Sequence, residues 1–448
     1  MKMVKDMTQG DPTKLLLQFS IPMLIGNIFQ QFYNMVDSIV VGKFVGQDAL
    51  AAVGVTGPIN FFIFSLTLGL GAGLSIVISQ FYGAKEYDNV KKAFATTIYT
   101  VIGAALLMGI IGFFSSRFLL ELLNTPDSII GQADMYLKIS CAGILGVCGY
   151  NGIASVLRAL GDSVTPLIFL GIASVLNIVL DLLFVVVFHM DVPGVAIATI
   201  ISQLLSAIGC TIFAMKKMEL LRLSRKEIKI DRVIFKKGIR LGIPIALQNS
   251  FISMSTMALQ GVVNNYGKTT IAAASIAGRI EQLILQPGMS LGVAISSYTG
   301  QNIGANQVER VKKGFFAATR IIIIFSLVML PIIYFGGGSI MQLFTKTEDY
   351  EVVRQGIDVL RIPSFFYCFL GMIFVSRNFL SGAGDVKIPM AMGFTEVVCR
   401  VLFANLLSYY MGSQGIWLAT GLTWFFTSIV GVLRYRSGKW KYKSVLGK

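Results

Sequence analysis

Residues 80–92 read QFYGAKEYDNVKK, and residues 301–313 read QNIGANQVERVKK. The shared Q-x-x-G-A and V-K-K elements stand 221 residues apart both times, so the two stretches mark one place in two copies of a duplicated unit. Two further pairs agree: Ile21-Pro22 with Ile243-Pro244, and GDSVTP at 161–166 with GDVKIP at 384–389, at offsets of 222 and 223. Solenoid repeats run about 20–50 residues, so this period describes two related halves rather than an array.

Between these landmarks the chain is apolar. Of its 448 residues, 54% are hydrophobic and 14% charged, with a mean hydropathy of +0.72, whereas soluble domains carry about 25% charge. Segments of about 20 apolar residues, long enough to cross hydrocarbon, recur at 15–41, 52–80, 94–114, 133–157, 164–188, 193–215, 239–264, 271–297, 315–336, 356–380, 387–411 and 415–435. The pattern predicts an all-α polytopic membrane protein with twelve transmembrane helices in two pseudo-symmetric six-helix lobes. Six spans per half is an even number, so both halves start on one side and are parallel repeats, an arrangement known from transporters that bind substrate between their halves. The expected division is an N-lobe at 1–215, a cytoplasmic linker at 216–237, a C-lobe at 238–435 and a cytoplasmic tail at 436–448.

The net charge is +15. Basic residues gather in alternate connections: Lys2, Lys5 and Lys14; Lys85, Lys91 and Lys92; the linker; Arg310, Lys312 and Lys313; and the tail from Arg434. The opposite loops hold little beyond Lys43, Arg117, Lys268, Lys346 and Arg354. Basic loops stay cytoplasmic, which predicts both termini on the cytoplasmic side and accounts for the basicity without any nucleic-acid partner; an unadorned polytopic chain of this kind suits a bacterial plasma membrane. The linker reads either as an amphipathic helix on anionic headgroups or as a plain connection. No cleavage-site pattern follows the first span, so it is expected to be retained. The five cysteines fall inside spans without metal-ligand spacing, and His189 sits at a span end, so neither a disulfide, a metal nor a cofactor is expected. GKTT at 267–270 fails as a P-loop, because five residues rather than four separate Gly261 from Gly267. No convergent His, Cys or metal set suggests an enzyme.

Ionisable residues inside spans are costly and by default functional. Asp37 and Asp181 each lie a few residues below the outer end of an outward-running span, and Thr199 falls at the same depth. Asn34 precedes Asp37 by three residues and Asn177 precedes Asp181 by four, spacings that put each amide on its acid's helical face. Two such carboxylates hold a proton between them, or bind sodium with the amide and hydroxyl oxygens. The opposing reading is that Asp37 snorkels to the outer interface beside Lys43. Pro22 breaks the ladder of the first span and supplies a hinge. At 221 after Asp37 and 223 after Asp181 stand Ala258 and Ala404, so only the first half carries the pair.

With IPMLIGNIFQQFYNMVDSIVVG in span 1, GQDALAAVG after it, Q-x-x-G-A in both halves and NIVLDLLFVVVF before VPGVAIATIIS, the chain resembles the multidrug and toxic compound extrusion (MATE) family over essentially its whole length. That resemblance implies export of organic, often cationic or amphipathic, compounds against inward protons or sodium ions. Span 7 has no acid and span 10 only Asp358, so the chain looks closer to the DinF-like branch than to the NorM-like one. In the DinF-like and archaeal type, the corresponding coupling network would comprise Gln30, Tyr33, Asn34, Asp37, Asn177, Asp181 and Thr199.

Other intramembrane polar residues are candidates for a substrate cavity. Glu281 reads as a holder of a cationic drug, as a second proton site or as a buried bond to another helix. Asn60, Gln248, Asn249 and Gln260 suit a cavity lining or ordinary interhelical hydrogen bonds, and Met257 suits an adaptable apolar wall. Glu396 and Arg400, spaced i, i+4, are expected to pair. Small organic substrates and membrane lipids are the expected partners, and the chain is expected to be a monomer. The competing function is a flippase of lipid-linked saccharides or other amphipathic lipids.

Overall fold

The structure, a computed structural model, describes residues 5–224, 227–342 and 350–446; Lys2, Lys346 and linker positions 225–226 lie outside the described residues. Among the described residues there are fourteen α-helices and no strand. The first half contains α1 (Pro12–Val40), α2 (Gln47–Gly83), α3 (Tyr87–Leu122), α4 (Asp127–Ala142), α5 (Ile144–Ala159), α6 (Val164–Asp181) and α7 (Asp191–Lys217). The second contains α8 (Arg232–Asn264), α9 (Gly267–Gly304), α10 (Val308–Gln342), α11 (Tyr350–Ser364), α12 (Tyr367–Gly382), α13 (Lys387–Met411) and α14 (Ser413–Arg436).

The helices α4 and α5 form one span bent by 50°, and α11 and α12 form one bent by 55°. Eight further helices are long and apolar enough to cross a membrane. The remaining two, α8 and α9, are longer than a bilayer requires, at 33 and 38 residues, but carry polar groups such as Gln248, Asn249, Arg279 and Glu281. They stand where α1 and α2 stand in the first half, which brings each half to six spans.

The duplication is legible in the backbone. After Gln80, the Ala84 and Glu86 N–H groups donate to the Gln80 and Phe81 carbonyls at 3.0 Å each, and after Gln301, Ala305 and Gln307 donate to Gln301 and Asn302 at 2.9 and 2.8 Å. Lys85 and Asn306 both take a left-handed φ, 61° and 56°, to end α2 and α9 in this way. Gly161 and Gly384 sit in matching turns at φ 94° and 89°; a Cβ there would meet the Lys5 and Lys443 carbonyl oxygens at 2.1 and 2.3 Å, so only glycine fits.

Two compact units result, but their borders do not follow the linker. The first holds Ile21–Ala246 with the N-terminal residues up to Asp6, and the second holds Met7–Ser20 with Leu247 onward. In the first unit, Lys91 pairs with Glu227 at 3.5 Å and the Asp231 N–H donates to Thr96 Oγ1 at 3.1 Å, which ties the linker to α3. A Cβ on Gly73 would meet the Gly242 nitrogen at 2.6 Å. Small residues permit such close helix approach in membranes, and here they bind the start of α8 to α2. The described linker is a 3₁₀ turn, Glu219–Leu221, with Leu221 buried, and not an amphipathic helix.

In the second unit, the Met7 N–H donates to Gln301 Oε1 and the Asn302 amide to the Met7 carbonyl, both at 3.0 Å. The segment expected as a tail is packed: Trp440 is buried, its Nε1–H donates to the Tyr435 carbonyl at 3.0 Å, and its ring lies 4.9 Å from that of Phe379.

Candidate functional site

In the first unit α1 and α6 both change geometry just past their acids. Asp37 is followed by a π-helical turn at Val41–Val45, and Asp181 by one at Leu182–Val187. Such wide turns are rare and cluster at functional places. Val40 and Val41 pack with Val185, Val192 and Val195 into one apolar cluster, so the two π segments share a core that fixes the helices carrying the acids.

The acids meet. Asp37 stands in hydrogen-bond contact with Asp181 and with Tyr33. Asp181 and Asn177 are fully buried, and Asp37 is half-buried. Carboxylates only accept, so the Asn177 amide turns its nitrogen toward them. In that orientation it donates to Asp37 Oδ1 at 2.9 Å and to Asp181 Oδ2 at 3.3 Å, while its oxygen accepts from the Thr199 N–H at 3.3 Å. The Tyr33 hydroxyl donates to Thr199 Oγ1 at 3.3 Å. Asp181 Oδ1 is enclosed without a donor.

The sequence missed one member. Tyr136 of α4 lies within electrostatic reach of both acids and packs on the valine cluster; nothing in its spacing points across to α1 and α6. Two expected members lie outside the contact set: Asn34 is exposed and Gln30 half-buried, and neither has a described bond to the acids. The buried stripe of α1 runs through Tyr33 and Val40, and at about 100° per residue Asn34 is turned well off it. Pro22 is half-buried inside α1, fifteen residues before Asp37.

The second unit holds a different cluster. Arg377 of α12 is ion-paired with Glu396 of α13, and both side chains are buried. The expected pairing of Glu396 with Arg400 is therefore corrected: the interhelical arginine takes the carboxylate, and Arg400 has no ion pair among the described residues. Glu281 of α9 is half-buried and interacts electrostatically with Arg400. Gln248 is buried with its Oε1 unpartnered, Asn249 is half-buried, Met257 is exposed, and Gln260 is exposed with its amide donating to Asn264 at 2.8 Å. Asp358 accepts from Gln414 at 2.9 Å. Asn60, in the first unit, is half-buried with an enclosed Oδ1 that has no donor.

Twelve spans in two parallel repeats, with a contacting carboxyl pair, among the described residues, in the first alone, define a two-repeat membrane transporter. The MatE family profile matches residues 22–183 and 244–406, one block in each half, and the chain belongs to this family of multidrug and toxic compound extrusion transporters. It is 35% identical over 438 residues to a probable multidrug resistance protein of Bacillus subtilis, YpnP, covering 97% of both chains. It is 23% identical to the probable multidrug resistance protein NorM of Thermotoga maritima, covering 97% of this chain and 94% of that one. A solved outward-facing multidrug resistance MATE transporter superposes with a TM-score of 0.89 at 26% identity, covering 98% of this chain and 99% of that chain. A MATE structure in a bent conformation gives 0.89 at 25% identity over 99% of both. Members of the family are multi-pass membrane transporters of small organic compounds, not enzymes.

Proposed function

We propose that the protein exports organic, often cationic or amphipathic, compounds across a bacterial plasma membrane by exchange against an inward proton, with Asp37 and Asp181 as the proton carrier. The reading rests on one observation: two carboxyl groups touch in an enclosed site with a single shared amide donor. Two ionised carboxylates in contact repel strongly in a low dielectric, and a proton between them relieves it. Sodium needs several oxygen ligands, whereas the Asn177 oxygen is turned toward the Thr199 backbone, which favours the proton.

Loading from outside neutralises the pair and loosens the hold on α1, and Pro22 gives that helix a place to bend. Both termini are read as cytoplasmic from the Lys and Arg distribution. One chain carries both repeats, so we read the transporter as a monomer among membrane lipids.

Ethidium efflux from cells tests this reading. Efflux is expected to stop with a protonophore, to continue when potassium replaces sodium, and to be lost in Asp37→Asn at unchanged protein level in the membrane. Normal efflux by that variant, or a strict sodium requirement, would overturn it.

A further inference from the structure

Between α3, α5 and α7 the first unit holds a cavity of about 390 Å³. Phe94 of α3, Gly149, Gly152 and Val156 of α5, and Ile208 and Ile212 of α7 line it, and none of its lining residues belongs to the carboxyl site. Ile208 and Ile212 are exposed, so the cavity opens sideways along α7. It lies toward the end of these helices where the basic residues gather.

The duplicate shows how the space arises. Burial follows the same pattern at an offset of 221 for α3 with α10 and for α7 with α14, and at 223 for α5 with α12. At these offsets Gly149, Gly152, Val156 and Ala214 become Met372, Val375, Phe379 and Tyr435, each of them larger. Phe315, the counterpart of Phe94, stacks on Tyr435 with ring centroids 3.9 Å apart and meets Phe379 edge-on at 4.9 Å, and Trp440 meets Phe379 at 4.9 Å. The second unit thus packs its own rings where the first has a groove walled by small side chains.

The mouth of the groove carries charge. Lys91 precedes Phe94 by three residues and Lys216 follows Ile212 by four, so both stand on the helical faces that line the cavity. Lys91 is paired with Glu227 at 3.5 Å. Lys216 and Lys217 are exposed and in no ion pair among the described residues. The Arg222 guanidinium donates to the Met215 and Lys216 carbonyls at 3.1 and 2.7 Å, which adds a third cation at the end of α7, with Glu219 between them in sequence. In the second unit Ser437 and Gly438 take the places of Lys216 and Lys217. An apolar slot with cations one turn beyond it complements a lipid tail joined to an anionic headgroup. A cationic compound would be repelled there, and a second copy seated symmetrically on this face would set like charges against each other.

We infer that the first unit binds an anionic phospholipid, with one acyl chain in the cavity between α3, α5 and α7 and the phosphate at Lys216, Lys217 and Arg222. Such a site stands apart from the export function and needs no ion gradient.

The test mixes the full chain, purified in detergent, with equimolar phosphatidylglycerol and phosphatidylethanolamine of matched acyl chains, and reads the retained lipid by native mass spectrometry. One phosphatidylglycerol is expected to be retained about tenfold or more over phosphatidylethanolamine. Lys216→Gln with Lys217→Gln is expected to bring that ratio to about one while lipid is still retained, because the tail keeps its slot. Gly149→Met carries the second unit's residue into the cavity, and a Cβ there meets the Ala207 Cβ at 3.5 Å, an ordinary contact. Retention of both lipids by this variant is expected to fall about tenfold or more. Equal retention of the two lipids by the unmodified protein overturns the inference, as does a ratio that the lysine variant leaves unchanged or full retention in Gly149→Met. A lipid-free pair of chains would assign the groove to a second copy and overturn it too. The comparison of the two lipids needs no variant, so misfolding of a variant does not shield the idea. It measures no transport, so its failure is separate from failure of proton-driven ethidium efflux.

Discussion

Asn177 is the side chain on which the first unit's carboxyls converge: one amide nitrogen reaches Asp37 at 2.9 Å and Asp181 at 3.3 Å. Hydrogen bonds to charged groups contribute about 1.5–3 kcal/mol, and about 1.4 kcal/mol is a factor of ten. Asn177→Ala is therefore expected to lower proton-driven ethidium efflux by tenfold or more, with membrane levels unchanged on immunoblot; efflux within twofold of normal would show that the amide is not the link. The placing of Asn177 one turn before its acid was readable from residue counting. Matching polar residues across spans also brought Asp37, Asp181 and Thr199 together, but other interhelical partners were not readable. Tyr136 and Arg377 enter their clusters from α4 and α12, and periodicity along one helix carries no information about which neighbour it will face. For the same reason Glu396 was matched with the local Arg400, when the interior of the unit offered it Arg377.

Elements show what the regular period hides. The spans were legible because about 20 apolar residues cross a bilayer whatever their detail, but the π turns at Val41–Val45 and Leu182–Val187 have no composition that sets them apart from α-helix. They are set by packing among the valines that follow each acid. Between the first of them and the N-terminal end of α1 lies Pro22, which cannot donate to the carbonyl four residues back and crowds it. Ile21 also begins the stretch of α1 that belongs to the first unit, so the helix is weakest where its allegiance changes. Pro22→Ala restores the missing donor and stiffens α1. It is expected to insert normally and to reduce efflux at least tenfold, and unreduced ethidium efflux by this variant would count against bending of α1 as a step in transport.

At the scale of the molecule the duplication was the most legible feature, since Q-x-x-G-A, V-K-K and the Gly-Asp turns recur with conserved offsets and recur in backbone shape. The borders of the two units were not legible, because glycine contacts between α2 and α8 and the ties of Glu227 and Asp231 to α3 override the order of the chain. The repeats also diverge where the chemistry sits. In the second half α8 continues as α-helix to Asn264 and α13 to Met411, with no π turn after the positions of Ala258 and Ala404. Arg400 occupies the place of Asn177, four residues before Ala404, where a new carboxylate would form an i, i+4 ion pair with it rather than share a proton. Moving the acids across the repeat, as Ala258→Asp with Ala404→Asp in an Asp37→Asn, Asp181→Asn background, is therefore expected to leave proton-driven efflux at the level of the acid-free background in everted membrane vesicles. Recovery of efflux would mean that two acids at equivalent positions suffice, and that the shared amide and the widened turns around the natural pair are incidental to coupling.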